Sequence, residues 1–154
     1  MSLFTQETPQ LGLGTTVGGY KVQYLEPVNL MVSATSTSQS VFIVPNLYVA
    51  GGTAVSPSYK LVEVNVVFGT AGGAAAAVTV EHLTGTQASG AGTALLSATI
   101  PLTGAANTVL SGVNSTTLTA AQATFAPGDR LGVVLSGTLT GLANCYIQVL
   151  LAIA

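Results

Sequence analysis

From residue 28 onward, short apolar runs rich in β-branched residues alternate with Gly, Pro, Ser, Thr and Asn at the spacing of a strand and a turn. This punctuation is typical of an all-β protein. No window shows the 3.6-residue apolar stripe of an amphipathic helix, although residues 120–125 and 74–77 could each form a single helical turn. We predict nine strands, over residues 28–35, 40–44, 47–50, 60–68, 77–83, 94–100, 108–111, 130–136 and 143–153. Eight or nine short strands in one domain predict a two-sheet β-sandwich, jelly-roll-like or Greek-key in its connections.

Alternation along the fourth and fifth predicted strands assigns their faces. In the fifth strand, Val78 and Val80 point inward and Glu81 points outward. In the fourth strand, Glu63 and Asn65 lie on the outer side. The inner side of that strand consists of Val62, Val64, Val66 and Phe68. If the two strands form a hairpin, we prefer the register that places Asn65 opposite Glu81, since the alternative sets two carboxylates against each other.

The last two predicted strands are interpreted as a second hairpin with one shared apolar side. That side consists of Leu131, Val133, Leu135, Cys145, Ile147, Val149, Leu151 and Ile153. The other side of the final strand carries Asn144, Tyr146, Gln148 and Leu150, which is unusually apolar for a solvated surface. We therefore expect the final strand to be held by neighbours on both sides or by another subunit.

Residues 1–27 differ from the rest, because closely spaced glycines interrupt the apolar residues and neither a helical nor a strand period is visible. We predict an extended N-terminal arm over 1–27 and a β-sandwich domain over 28–154. The arm is either a frayed terminus or loop packed on its own domain, or a segment that docks on a neighbouring subunit. Under the second interpretation the contact residues are Phe4, Leu11, Leu13, Tyr20 and Tyr24.

The chain has only five acidic and three basic residues, or 5% charged residues, against about 25% in an ordinary soluble domain. A lone monomer with so few charges favours association. Three scattered basic residues cannot neutralise a run of phosphates, so we expect neither nucleic-acid binding nor attachment to anionic lipid. The N-terminus has no signal-peptide pattern and no apolar run is long enough to span a bilayer, which predicts a cytosolically made protein.

The residues that could carry catalysis or bind a cofactor are few. Glu81 and His82 are neighbours in one strand and therefore point to opposite faces, so we interpret His82 as a capped or interface histidine. One histidine and one cysteine cannot form a zinc site. Cys145 is predicted to be a small buried hydrophobic residue. The glycines of Gly72-Gly73 and of residues 90–92 lack the setting of a phosphate loop. We predict no enzyme, no metal and no cofactor.

Residues 126–130 read Ala-Pro-Gly-Asp-Arg, and we interpret them as a structural turn. Pro127 and Gly128 suit the second and third positions of a type II turn. Asp129 is expected to cap that turn through its side chain, and Arg130 to begin a strand and pair across the turn.

The segment Thr117-Leu118-Thr119-Ala120, continued by Phe125-Ala126-Pro127-Gly128-Asp129-Arg130-Leu131-Gly132 and the strand to Thr138, resembles the C-terminal half of small phage virion proteins. In these proteins a Gly-Asp turn begins a strand, a Ser/Gly/Thr loop follows, and an apolar strand ends the chain. The likeness covers residues 95–154 and no motif in the N-terminal half. It implies a capsid decoration (cement) protein, which is made in the host cytoplasm and forms a homotrimer on the capsid surface of the virion, where it bridges major capsid protein subunits. Under this resemblance, the contact residues of the arm reach toward the capsid or toward a neighbouring subunit.

Three other functions stay open at this point. A receptor-binding tail or fibre-tip module would recognise host glycans through Tyr, Asn, Gln and Thr side chains. A small coat protein would form the shell itself, but this chain lacks a basic arm for genome packing. A glycan-processing enzyme would need two converging carboxylates, which the sequence does not show.

Overall fold

The computed structural model describes residues 16–17, 20–21, 25–32, 38–44, 47–48, 54–55 and 58–154. One short helix, α1, covers Ala120–Ala123. In chain order, the strands are β1 Thr16–Val17, β2 Tyr20–Lys21, β3 Leu25–Val32, β4 Ser38–Ile43, β5 Leu47–Tyr48, β6 Ala54–Val55, β7 Tyr59–Val67, β8 Ala77–Leu83, β9 Thr93–Ala94, β10 Ile100–Pro101, β11 Leu110–Ser111, β12 Thr124–Phe125, β13 Arg130–Ser136 and β14 Cys145–Ile153.

Two antiparallel sheets contain most of these strands. The first sheet has the order β11-β7-β14-β3, and β12 pairs with β7 further along the same edge as β11. The second sheet has the order β10-β8-β13-β4, and β9 pairs with β8 beside β10. The pairs β1-β2 and β5-β6 form two small ribbons. The predicted all-β sandwich is confirmed.

Strands that follow one another along the chain mostly fall in different sheets. β3 and β4, β7 and β8, and β13 and β14 each divide between the first and the second sheet. This interleaving is that of a jelly-roll-like sandwich. Both hairpins predicted from the sequence are therefore wrong: β7 does not pair with β8, and β13 does not pair with β14. Alternation identifies the inner face of a strand, but two inner faces can meet across a sandwich as well as within one sheet.

The core lies between the inner faces of the two sheets and includes the residues predicted to point inward from β8, β13 and β14. The buried members of this set are Val78, Val80, Leu131, Val133, Leu135, Cys145, Ile147, Val149 and Leu151. Burial of these side chains, together with those of Tyr59, Phe68 and Phe125, is the main favourable contribution to the stability of the fold. The last strand is held on both sides, by β3 and β7, as predicted.

Val62 is the exception on β7, because 40% of it is exposed although the alternation predicts that it is buried. The pairing with β14 shifts here: Leu150 is opposite Glu63, but Leu151 is opposite Leu61. Val62 is the extra residue of this β-bulge, and a bulge reverses the alternation along its strand. Val64 and Val66, beyond the bulge, are buried as predicted.

Three smaller predictions have mixed outcomes. The helical turn predicted near residue 120 is confirmed as α1, whose capping box joins Thr119 and Gln122. The strand predicted over 94–100 divides into β9 and β10 at a bend. Residues 74–77 form a turn and the start of β8. Among the residues that the structure describes, no helix has the length and hydropathy of a membrane span.

Two connections between the sheets, residues 68–76 and 137–144, lie side by side. Gly73 N–H donates to the carbonyl of Thr138 at 2.8 Å, and Thr138 N–H donates to the carbonyl of Ala74 at 3.0 Å. Gly137 has φ +72°, and a Cβ at this position would clash with the backbone carbonyl of Ala75. Only glycine therefore allows the two connections to approach this closely.

Candidate functional site

Glu81 is buried, with only 3% of its surface exposed, although the sequence predicts that it faces solvent. It does point away from the core, but residues 84–92 fold over it. Gly90 N–H donates to its Oε1 at 2.6 Å and Gly92 N–H donates to its Oε2 at 2.9 Å. Across the sheet, a Cβ on Gly132 would lie 2.6 Å from Oε1, so only glycine leaves room for the carboxylate. Glu81 therefore fastens a loop to the outer face of the second sheet.

His82 lies on the core side at the end of β8, as predicted, with 3% of its surface exposed. Its Nε2 is 2.9 Å from Asp129 Oδ2 and its Nδ1 is 2.9 Å from the carbonyl oxygen of Gln122. Both ring nitrogens therefore lie within hydrogen-bond distance of an acceptor oxygen. The ring also packs on Phe125, with centroids 4.5 Å apart. His82 thus joins the second sheet to the connection that carries α1 and β12, and Glu81 is not among its partners.

The predicted type II turn at Pro127 and Gly128 is confirmed. Gly128 has φ +88°, and Asp129 N–H donates to the carbonyl of Ala126 at 3.0 Å. Asp129 caps the turn as predicted, because its Oδ2 accepts the N–H of Ala126 at 2.8 Å. Arg130 begins β13 as predicted and reaches the covering loop, where its Nη2 donates to the carbonyls of Gly85 and Gln87 at 3.1 and 2.6 Å.

Cys145 is buried in the core as predicted, and burial raises the pKa of its thiol above 9.0. The thiolate that metal binding or nucleophilic attack requires is therefore disfavoured. In the part of the chain that the structure describes, no three His, Cys, Asp or Glu side chains cluster to hold a metal ion. The buried titratable groups of this region accordingly hold loops or fill the core.

The outer surface of the first sheet differs from the covered outer face of the second sheet, because it exposes large apolar side chains. Of the described residues, five large apolar side chains are well exposed, namely Ile43, Val62, Val109, Val113 and Tyr146. All but Ile43 belong to the first sheet or to its β11 edge. Exposed apolar side chains that lie together on one surface indicate an interaction site, whereas single ones do not.

We call the central part of this surface the Tyr146 face and define it by Asn65, Val67, Val109, Tyr146 and Gln148. These five residues surround a shallow depression of about 390 Å³. Tyr146 is 52% exposed and Val109 is 65% exposed. The register sets Tyr146 opposite Val67 and Gln148 opposite Asn65, so an apolar row lies next to an amide row.

The rim of the Tyr146 face holds few charges and few fixed polar contacts. The Asn65 Oδ1 accepts a hydrogen bond from the Ser111 hydroxyl at 2.7 Å, which orients the amide. Glu63, which is exposed, lies two residues before Asn65 on β7 and opposite Leu150. The face therefore combines apolar contact area with amide donors and acceptors, and its five defining residues carry no charge.

A second, smaller pocket of about 100 Å³ lies beside β7, with Lys60, Asn114 and Ser115 among its lining residues. The Asn114 Nδ2 donates to the carbonyl of Val62 at 2.9 Å, while its Oδ1 is buried without a hydrogen-bond partner. The volume and the single orphaned acceptor fit a few water molecules rather than a substrate.

The arm residues proposed as contacts are not tested. Phe4, Leu11, Leu13 and Tyr24 lie outside the described residues, and Tyr20 is described only as the β2 residue paired with Val17. β3 begins at Leu25, inside the segment assigned to the arm.

One sequence pattern indicates the Tyr146 face, namely the apolar outer side of the last strand with Tyr146 and Gln148. No sequence pattern indicates Val67 or Val109, because their position beside Tyr146 depends on pairings that join distant parts of the chain.

Comparison of the chain with protein-family models, with curated proteins and with solved structures found no match in any of the three.

Proposed function

We propose that this chain is a non-enzymatic structural protein of a virus particle, which decorates a phage capsid and stabilises it by bridging coat subunits. The observation that carries the proposal is the Tyr146 face, an exposed, uncharged and largely apolar surface on the outer side of the first sheet. The virion as the setting rests on the resemblance of residues 95–154 to small phage virion proteins. The homotrimer and the major capsid protein as partner rest on that resemblance as well.

The positions of the ionisable groups support a structural role. Glu81, His82, Asp129 and Arg130 bind loop backbone or each other, so these groups have structural partners. In the first sheet, β14 pairs with a neighbour on each side, and a preformed surface loses little conformational entropy when it is covered. The geometry thus favours docking through a preformed surface.

Stabilisation of the particle would be mechanical. Each docking contact is weak by itself, but symmetry repeats it many times over a shell, and contacts that act together strengthen attachment far beyond one of them. Because the Tyr146 face is uncharged, we expect binding to change little between low and high salt.

The copy number of this chain in purified particles, quantified against the major coat protein, tests where in the particle the protein lies. A copy number comparable to that of the coat protein supports decoration, and a few copies per particle indicate a tail or fibre. If the chain is missing from the particles, the virion proposal fails.

Binding of the purified chain to particles that lack it tests the surface, with a matched pair of variants. Val109→Ser lies on the Tyr146 face and Ile43→Ser lies at the end of β4, and both native side chains are 65% exposed. We expect Val109→Ser to weaken binding about tenfold and Ile43→Ser to leave it unchanged. Equal effects would contradict docking through this face.

A receptor-binding module that recognises host surface glycans is the second candidate, favoured by one observation. The half-exposed ring of Tyr146 lies next to the amide of Gln148 at the 390 Å³ depression, and a sugar can stack on a tyrosine while amides bind its hydroxyls. A glycan array tests it: binding that Tyr146→Ala abolishes and Ile43→Ser preserves would support this candidate, and no binding to any glycan would remove it.

A further inference from the structure

We propose that residues 84–92, which we call the strap, form a cover on the second sheet that opens when Glu81 is protonated. The strap connects β8 to β9, contains neither helix nor strand and has no ionisable side chain. Most of its residues are exposed to water. The inference concerns the second sheet, so it does not depend on the docking role proposed for the Tyr146 face.

Leu83 is the apolar side chain that the strap covers, and it is fully buried. A Cβ on Gly92, at the end of the strap, would lie 2.9 Å from Leu83 Cδ2. A Cβ on Gly132 would lie 3.0 Å from Leu83 Cδ1 and 2.6 Å from Glu81 Oε1, so Leu83 and Glu81 share the outer face of the sheet. Among the described residues, the core cluster between the sheets does not include Leu83. The strap therefore keeps water from this side chain.

Two charged side chains hold the strap, one near each of its ends. Near the C-terminal end, the Glu81 carboxylate accepts the N–H groups of Gly90 and Gly92 at 2.6 and 2.9 Å. Near the N-terminal end, Arg130 Nη2 donates to two strap carbonyls at 3.1 and 2.6 Å. Arginine keeps its charge in acid, whereas a carboxylate is neutralised by it. One of the two attachments is therefore sensitive to pH.

Protonation changes which hydrogen bonds Glu81 can make to the strap. A carboxylate offers an acceptor oxygen to each of the two N–H groups, but in a carboxylic acid one oxygen carries a proton and donates. That O–H would face an N–H, so one hydrogen bond is lost and the other no longer has a charged acceptor. We expect the segment around Gly90 and Gly92 to leave the sheet in acid, which exposes Leu83 to water.

The ionisable groups around Glu81 leave this carboxylate as the group through which acid acts on the strap. Its partners on the neighbouring strands are Gly132 on β13 and Ala94 on β9, and neither is ionisable. Arg130 lies two residues before Gly132 and contacts the strap from the same face. The other ionisable side chains at this end of β8 bind each other, namely His82 and Asp129.

Hydrogen exchange of the full chain, followed by NMR at single amides, tests the proposal from about pH 7 to about pH 3, the range in which carboxyl groups titrate. Protection factors correct for the intrinsic effect of pH on exchange. We expect those of Gly90 and Gly92 to fall at least about tenfold in acid. The amides of Thr79 and Val134, which pair within the second sheet, should stay protected. The contact between the Leu83 methyl groups and Gly92 should disappear over the same pH range.

Two matched variants identify the responsible group. Glu81→Gln is neutral at every pH, so the amides of Gly90 and Gly92 should be poorly protected at neutral pH and show no further change in acid. Glu63→Gln makes the same substitution at an exposed position and should keep the pH response of the native chain.

Three results would overturn the inference. In the first, the two glycine amides of the native chain keep their protection throughout the titration. In the second, the strap and the sheet lose protection together, because acid then unfolds the domain instead of opening the strap. In the third, Glu81→Gln retains the pH response, because another group such as Asp129 then controls the strap. If Glu81→Gln does not fold, the native titration and the Leu83–Gly92 contact decide between the first two results and the proposal.

Discussion

Glu81→Gln should loosen the loop over residues 84–92 and lower the stability of the whole domain. The carboxylate of Glu81 accepts two backbone N–H groups, from Gly90 and Gly92, in a site where the residue is only 3% exposed. Glutamine has one side-chain oxygen, so its amide N–H₂ would face one of the two N–H groups. One hydrogen bond is lost, and the other is no longer assisted by a charge.

The magnitude follows from these two contacts. A hydrogen bond to a charged group contributes about 1.5–3 kcal/mol and a neutral one about 1 kcal/mol, so the gross loss is roughly 2–5 kcal/mol. Removing a buried charge recovers part of its desolvation cost, which brings the expected decrease in unfolding free energy to about 2 kcal/mol. For a chain of this length that corresponds to a decrease in Tm of about 4–8 °C.

Urea unfolding and hydrogen exchange provide the assay. Glu63→Gln is the matched control, because it makes the same substitution at an exposed site and should cost less than about 0.5 kcal/mol. In Glu81→Gln the amides of Gly90 and Gly92 should exchange faster than in the control. If the two variants unfold at the same urea concentration and the glycine amides keep their protection, Glu81 does not hold the loop.

Three further predictions concern the rest of the molecule. His82→Leu should cost about 1–3 kcal/mol in thermal or urea unfolding, because it removes the part-buried ring contacts to the Asp129 carboxylate and to the Gln122 carbonyl; a loss below about 0.5 kcal/mol would contradict the linking role of the ring. Gly137→Ala should cost more than about 4 kcal/mol or prevent folding, whereas Gly128→Ala, with a similar positive φ but open space around it, should cost about 1–2 kcal/mol. Similar costs would refute the steric argument. Cys145 should react with a thiol reagent only on unfolding. Because the pKa of its thiol is raised by burial, its contribution to stability is complete below pH 9.0 and decreases as the pH rises through the folded-state pKa. Fast labelling of the native chain would refute this.

The sequence predicted the strands well and their partners poorly, for a physical reason. Alternation is a local property, so it correctly placed Val78, Val133 and Ile147 on inner faces. Strand pairing, in contrast, depends on whether two inner faces lie within one sheet or meet across the sandwich. Here the connections of nine and eight residues cross from one sheet to the other instead of turning back within it.

The prediction of which side chains are exposed was wrong where a loop covers a strand or a bulge interrupts the alternation. Glu81 points outward as the alternation requires, but a glycine-rich loop covers it, and no local pattern shows where a loop returns. Val62 is exposed because a bulge inserts one residue into β7. The turn at Asp129 was predictable in full, because the chemistry of a type II turn lies within four consecutive residues.

The candidate site was predictable only in the part contributed by one strand. Tyr146 and Gln148 occur together on β14, and their apolar, amide-rich side was visible as unusual. The other half consists of Asn65, Val67 and Val109. These residues lie beside Tyr146 and Gln148 only because distant segments of the chain pair with one another.

The place of β14 in the first sheet affects how the protein is made. β14 lies between β3 and β7 but is translated long after both of them. At a synthesis rate of about 5–20 residues per second, β3 and β7 wait several seconds on the ribosome before the strand that separates them exists. During that time their edges can pair wrongly with each other or with another nascent chain, and few charged side chains are present to prevent it. The yield of soluble protein should therefore depend on how many chains are being translated at once.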